Sequence, residues 1–165
     1  MTRRSHTDAT TILSRAAAVP PPVWLAVAAG LQLIVAGRRR PKPVSAVASV
    51  TVAAGSVALA GRAVGALRGA GTTLDPEHPE RTRRLVADGP FAVSRNPVYL
   101  ALAGLLLAHA LWRRSVLAVL PAAGFLAVMD RVQVPREEAA LRRRFGRRYD
   151  RYRAAVPRWI GAPED

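Results

Sequence analysis

The hydrophobic residues of this chain are gathered in four runs that contain no charged side chain. These runs comprise residues 16–37, 43–61, 96–112 and 115–129. An α-helix rises about 1.5 Å per residue, so a run of about 20 residues crosses the hydrocarbon core of a bilayer. The first two runs have this length, whereas the last two require snorkelling arginines or local thinning of the bilayer. The pattern predicts an all-α integral membrane protein with about four transmembrane helices.

The segment after the fourth run has the pattern of an amphipathic helix. Pro135 suits the first turn of a helix, where a missing N–H costs nothing, so we expect a new helix to begin there. Arginines cover most of its surface, which predicts a cytoplasmic C-terminal helix on the membrane surface or against the bundle. Gly146 either permits close packing of this helix or ends its first segment. The apolar positions, three or four residues apart, are Leu141, Phe145, Tyr149, Tyr152 and Val156.

Proline residues mark where the other helices begin and bend. Three prolines at positions 20–22 place the start of the first span near Pro22 and its end near Gly37. Asn96 is a helix cap followed by Pro97 in the first turn, and this third span is expected to end at Trp112. Pro121 is expected to kink the fourth span near its middle, because it removes one backbone hydrogen bond.

The length of the chain suits one domain, residues 1–165. Residues 1–15 are polar, and we expect them to be flexible. Residues 16–67 contain the two N-terminal spans. Residues 68–160 contain a loop rich in glycine and proline, then the helical hairpin of spans three and four, then the tail helix.

The net charge is +14, and the distribution of lysines and arginines along the chain decides the expected orientation. With both termini in the cytoplasm, 19 lysines and arginines lie on that side and 6 on the other, as the positive-inside rule favours. The basic residues flank apolar spans, so the predicted partner is a lipid bilayer, the cytoplasmic membrane, rather than nucleic acid. An alternative interpretation makes the first run a secretory signal, but the polar lead and the three prolines disfavour it.

The composition also limits the chemistry. The chain has no cysteine, so a disulfide framework, a thiolate metal site and a thiol nucleophile are excluded. His78 and His109 have no neighbouring ligands in the sequence, and we interpret both as structural residues. No metal site is predicted.

The loop before span three carries one half of a candidate small-molecule site. The N-terminus of a helix presents N–H groups and partial positive charge, so Asn96 and Pro97, with Arg95 beside them, suit a carboxylate or a phosphate. Tyr99 lies one turn later and can place its ring against a cation. The preceding residues offer apolar surface for a flat ring and a turn whose backbone groups can bond the edge of that ring. They are Leu85, Val86, Gly89, Pro90 and Phe91.

The tail helix supplies the other half. Glu137 and Glu138 lie in its first turn and can accept hydrogen bonds from an ammonium group or from ribose hydroxyls. A ligand with an anion, a cation, a sugar and an aromatic base would satisfy both halves. S-adenosylmethionine is such a ligand.

These motifs, in this order, resemble the isoprenylcysteine carboxyl methyltransferase and phospholipid methyltransferase family of integral membrane enzymes. The likeness covers about residues 72–160, and spans one and two are similar only in character. Its motifs are Leu85-Val86, Gly89-Pro90-Phe91, Ser94-Arg95-Asn96-Pro97 with Tyr99, Glu137-Glu138, and the apolar positions of the tail helix through Val156-Pro157.

The resemblance implies that S-adenosylmethionine binds in a cytoplasm-facing pocket with a lateral opening for a lipid-like substrate. A methyl group would pass to a carboxylate, thiol or amine of a lipophilic or amphiphilic molecule. Arg95 and Tyr99 are then the expected catalytic residues, and Arg153 is expected to orient an acidic substrate. Asn96 stands where the family often has histidine, which argues against proton transfer there. Ala101 replaces a frequent glycine and is expected to narrow the pocket slightly.

Two other functions remain open at this point. A membrane reductase of the sterol reductase type has a similar loop before a helix but binds NADPH. A non-enzymatic membrane subunit would need no pocket. In that case Glu137 and Glu138 are partners of the helix dipole, Arg95 binds lipid phosphate, and Tyr99 and Tyr152 are interfacial residues.

Overall fold

The computed structural model describes residues 19–72 and 82–162. The segment 1–15, expected to be flexible, and His78 lie outside these residues. Within them the regular secondary structure is helical, with no strand, so the predicted all-α class is confirmed. The α-helices are α1 (Pro21–Val35), α2 (Pro43–Gly69), α3 (Pro97–Arg113), α4 (Val119–Val128), α5 (Val134–Phe145) and α6 (Arg147–Ala155). A 3₁₀ turn covers Gly89–Ala92, and a π-helical turn covers Met129–Gln133.

Helix α2 is the one described helix whose length and composition suffice to cross a membrane. It has 27 residues and exposes a row of valines, including Val44 at 83% and Val47 at 67% of their surface. Lipid tails are the environment that such a surface suits. Helices α1 and α3 are apolar but shorter, with 15 and 17 residues, and α4 has 10. The count of four spans therefore stays a prediction.

Helices α2 and α3 pack closely and run in opposite directions. The Ser49 hydroxyl donates to the Ala108 carbonyl at 2.7 Å, and one to two turns further along α2 Ser56 lies against Gly104. A Cβ atom at position 104 would overlap the Ser56 hydroxyl. Small residues at a helix interface allow this approach in lipid, where apolar burial gives little driving force.

Gln32 joins α1 to the hairpin of α3 and α4. Its side chain is fully buried, and its Nε2 donates to the carbonyls of Leu106 at 2.9 Å and Ala118 at 2.6 Å. Its Oε1 lies 3.0 Å from Nδ1 of His109. His109 therefore contacts Gln32. The hydrogen bonds of Gln32 fix the positions of α1, α3 and the start of α4 relative to one another along the bundle.

The structure corrects the prediction about Pro121 and confirms the one about Pro135. Helix α4 begins at Val119, because the left-handed Arg114 starts a hairpin that extends to Ala118, so Pro121 lies in the first turn. The predicted kink in the middle of the span was wrong. Helix α5 begins at Val134 with Pro135 in its first turn, as predicted, but the π turn joins it directly to α4, and the Val134 N–H bonds the Met129 carbonyl.

Gly146 ends the first segment of the tail helix, which was one of its two predicted roles. Its φ of +49° is in the left-handed region that favours glycine, and it separates α5 from α6. The tail is therefore two short helices. The bend lets α6 approach the loop that precedes α3.

We predict that Gly104→Leu destabilises the protein by about 2 kcal/mol, because an added side chain forces α2 and α3 apart. Gly61→Leu on exposed α2 surface is the matched control and should change stability by less than about 0.5 kcal/mol. Thermal unfolding in detergent measures both. Equal stability of the two variants would show that the helices do not pack closely at Gly104.

Candidate functional site

A cavity of about 210 Å³ opens between the start of α3, the start of α5, helix α6 and the loop before the 3₁₀ turn. The end of α2 contributes Leu67. All these elements meet at one end of the bundle, opposite the turn between α1 and α2. Of the predicted site residues, nine line this cavity: Leu85, Val86, Phe91, Arg95, Asn96, Pro97, Tyr99, Glu137 and Glu138.

Three predicted residues are not among those that line the cavity. Gly89, with φ of +56°, starts the 3₁₀ turn, and the Pro90 carbonyl accepts from the amides of Val93 and Ser94 at 3.2 Å. Both shape the loop. Arg153 contributes its backbone carbonyl, which accepts a hydrogen bond from Nη1 of Arg95 at 3.1 Å.

The cavity also contains residues that the sequence did not assign to the site. Tyr149 and Tyr152 form an edge-to-face pair with ring centres 6.2 Å apart, and burial raises the pKa of each phenol. The Tyr152 hydroxyl donates to the Phe91 carbonyl at 2.7 Å, which ties α6 to the 3₁₀ turn. The apolar period of the tail helix marks these tyrosines and Leu141. No motif marks the other lining residues that were missed, Leu67, Thr82, Arg84 and Val98.

Arg95 and Glu138 form a buried ion pair. Nη2 of Arg95 lies 2.9 Å from Oε1 of Glu138, and the two side chains are 2% and 15% exposed. A second guanidinium, that of Arg158, contacts both oxygens of Glu138 at 3.2 and 2.9 Å. Glu138 is therefore already held by two cations.

Glu137 has a different environment although it is the next residue. Its Oε1 accepts hydrogen bonds from the Tyr99 hydroxyl at 2.6 Å and from Nε2 of Gln133 at 2.7 Å. Both donors are neutral. Burial raises the pKa of Glu137, and the hydrogen bonds from Tyr99 and Gln133 oppose that rise. A buried carboxylate whose donors are neutral is stabilised more by a bound cation than a carboxylate that already forms ion pairs.

Asn96 occupies the N-cap position of α3, as predicted, but its side chain makes no capping hydrogen bond. Its Nδ2 donates instead to the Arg158 carbonyl at 3.1 Å. The first-turn amides of α3 are thus not covered by a side-chain cap. Together with the buried Arg95 guanidinium, this end of α3 offers positive potential to an anion.

The described residues contain no group of three or more histidine or acidic side chains that could hold a metal ion. The polar groups of the cavity are two arginines, two carboxylates, an amide and hydroxyls, a donor and acceptor set for a polar organic ligand.

Comparison with known proteins gives two matches. The family model described as phospholipid methyltransferase matches residues 44–148, from the first turn of α2 to the start of α6. An uncharacterized protein of Haemophilus influenzae is 41% identical over 63 residues, which are the whole of that protein and 38% of this chain. No solved structure matches.

The family match confirms the resemblance drawn from the motifs, although the range differs. It includes α2, which the motifs left out, and it ends before Tyr149, Tyr152 and Val156.

We predict opposite effects for the two glutamates. The pKa of Glu137 is higher in the folded protein than in the unfolded chain. Its contribution to the free energy of unfolding is therefore complete below the unfolded-state pKa and is lost as pH rises through the folded-state pKa. Glu137→Gln should therefore be more stable than the native chain at pH 8 and less dependent on pH. Glu138→Gln should lose about 3 kcal/mol, because two buried guanidiniums lose their shared carboxylate.

Thermal unfolding in detergent at pH 5 and pH 8 measures these differences. Two variants of equal stability at pH 8 would contradict the distinct environments of the two carboxylates.

Proposed function

Because the chain belongs to the phospholipid methyltransferase family, we propose that it is an integral membrane enzyme that transfers a methyl group from S-adenosylmethionine. The acceptor is a carboxylate, thiol or amine on a lipophilic or amphiphilic molecule. The observation that carries this proposal is the meeting of Arg95 and Glu137 in one cavity with an aromatic wall. Each of these groups is complementary to a different part of the cofactor.

The residues present suit the cofactor part by part. The uncapped start of α3 and the Arg95 guanidinium would hold its carboxylate. Glu137 would accept hydrogen bonds from its ammonium group or from the ribose hydroxyls. The apolar surface for the adenine consists of Leu85, Val86, Phe91, Leu141, Tyr149 and Tyr152.

The cofactor supplies a methyl group that its sulfonium already activates. The protein must hold the acceptor atom in line with the methyl carbon and the sulfur, and exclude water. Tyr99 contributes by fixing Glu137 and by presenting its ring to a cationic centre. Asn96 has no acid or base function, so proton transfer is not assigned to it.

Arg153 lies on α6, partly buried, and its carbonyl holds the Arg95 guanidinium. Its side chain is not among those that line the cavity, so orientation of an acidic group of the substrate by Arg153 stays a prediction. The exposure of the arginines of α5 and α6 supports an interaction with lipid phosphates at the same membrane surface.

The proposed location is the cytoplasmic membrane with both termini in the cytoplasm. The turn with Arg38, Arg39 and Arg40 and the hairpin at Arg113 lie together at one end of the bundle, where Arg113 donates to the Gly37 carbonyl. The cavity lies at the other end. In this arrangement the cavity opens at the cytoplasmic surface.

Because the chain has no cysteine, single cysteines can test this orientation. Arg148→Cys, on exposed α6, should react with an impermeant maleimide only when the cytoplasmic surface is accessible. Arg39→Cys should react only from the opposite surface. Labelling of both from one side would contradict the proposed topology.

We predict that purified protein in detergent binds S-adenosylhomocysteine and does not bind NADPH, as measured by calorimetric titration. Glu137→Gln should weaken this binding at least about tenfold, the loss expected for a buried charge-assisted hydrogen bond. Arg151→Gln, on exposed α6 surface, is the matched control and should bind normally.

The pH dependence of binding gives a second measurement. Affinity of the native chain should rise with pH as Glu137 ionises through its raised pKa, whereas Glu137→Gln should show no such rise. Binding of NADPH alone would indicate a reductase. Binding of neither ligand would indicate a subunit without cofactor chemistry.

A further inference from the structure

The segment after α6 crosses the loop that precedes α3. We name residues 156–159 the C-terminal strap. The amide of Arg95 donates to the Pro157 carbonyl at 2.9 Å. The Arg158 carbonyl accepts from the Ser94 hydroxyl at 3.0 Å and from Nδ2 of Asn96 at 3.1 Å. Three consecutive loop residues are therefore bonded to two consecutive strap residues.

The side chain of Arg158 connects the strap to two further elements. Its Nε and Nη2 contact the two oxygens of Glu138 on α5, and its Nη1 lies 3.0 Å from Oδ1 of Asp130 in the π turn. The indole Nε1 of Trp159 donates to the same Asp130 oxygen at 2.9 Å. The side chains of Arg158 and Glu138 are 18% and 15% exposed, so their ion pair is partly shielded from solvent and salt, whereas Asp130 is 38% exposed.

Arg158 is not among the residues that line the cavity, whereas Arg95 and Glu138 are. The side chain of Arg158 reaches the cavity wall through Glu138, and its carbonyl does so through Asn96. That carboxylate contacts Arg95 with Oε1 and Arg158 with both oxygens, a geometry that fixes its plane and hence the direction from which Arg95 approaches.

The charges lead to the same conclusion. Glu138 paired with Arg95 alone would cancel much of the attraction between Arg95 and an anion in the cavity. Arg158 shares the Glu138 carboxylate with Arg95, and Asp130 in turn pairs with Arg158, so the four charges sum to zero. Compared with an Arg95–Glu138 pair without Arg158, this arrangement reduces the repulsion that Glu138 exerts on an anion beside Arg95.

We infer that Arg158 is a positioning residue and that the C-terminal strap holds the Arg95 guanidinium in place for the carboxylate of the cofactor. This inference rests on the proposed function for the identity of the ligand. The holding of the loop by the strap does not depend on that identity.

The first test needs no ligand. Arg158→Gln removes the charge and the two-pronged contact with Glu138. We expect hydrogen exchange of the backbone amides at positions 94–96 to accelerate about tenfold or more, because the strap opens more often. Arg151→Gln should exchange like the native chain. Unchanged exchange in Arg158→Gln would overturn the role of the strap.

The second test compares two ligands. S-adenosylhomocysteine carries the carboxylate, and 5′-methylthioadenosine lacks the whole amino acid group. Arg158→Gln should bind the first about tenfold more weakly and the second with native affinity. Arg95→Gln should show the same selectivity, and the double variant should be no weaker than Arg95→Gln, because both changes remove one interaction.

Native affinity of Arg158→Gln for S-adenosylhomocysteine would overturn the inference. Equal losses for both ligands would overturn it too, because they would show collapse of the cavity rather than misplacement of Arg95. If the native chain binds neither ligand, the proposed function fails, and the exchange measurement alone decides the role of the strap.

Discussion

The candidate site depends on a cluster of four charges in which Arg95, Glu138, Arg158 and Asp130 alternate in sign. Each residue comes from a different element: the loop before α3, helix α5, the strap and the π turn. Removing charged groups from water costs free energy. Only ion pairs with good geometry and further hydrogen bonds offset this cost. The cluster therefore favours a single arrangement of these elements over other packings. The cavity is the space that this arrangement leaves beside Arg95.

Neighbouring glutamates in this structure have separate functions. Successive residues on a helix point about 100° apart, so Glu137 and Glu138 meet different surroundings. Glu138 is held in the charge cluster, and Glu137 faces the hydroxyl of Tyr99 and the amide of Gln133. A paired carboxylate motif thus combines one residue that maintains the structure with one that can receive a cation. The sequence alone treats them as equivalent.

Much of the fold and part of the site could be predicted because they depend on local patterns. Charge-free runs indicate helices, and a proline in the first turn marks the start of α3 next to Arg95. Glu137 lies in the first turn of α5, at the same end of the bundle, so its proximity to Arg95 follows from the hairpin between them. The tyrosines of α6 could be assigned to the apolar face of the tail because they lie three or four residues from its other apolar positions.

Arg158 has no such signal, because the strap is irregular and its contacts are over 60 residues away in the loop. The prediction of a kink at Pro121 was wrong for another reason. The spacing of hydrophobic residues does not show where a hairpin ends, so the start of α4 at Val119 could not be predicted. Nor does it show where a helical turn contains an extra residue, so the π turn could not be predicted either.

The π turn has a consequence for how the protein divides its surfaces. An extra residue within one helical turn changes the angular phase of every side chain that follows. Phe125 and Met129 pack in the bundle core, as does Val134 directly after the turn, while Glu137 and Leu141 further along line the cavity. The phase of the π turn therefore sets which residues of this continuous helix face the core and which line the cavity. Insertion or deletion of one residue in the π turn would rotate α5 relative to α4 without changing the sequence of either helix.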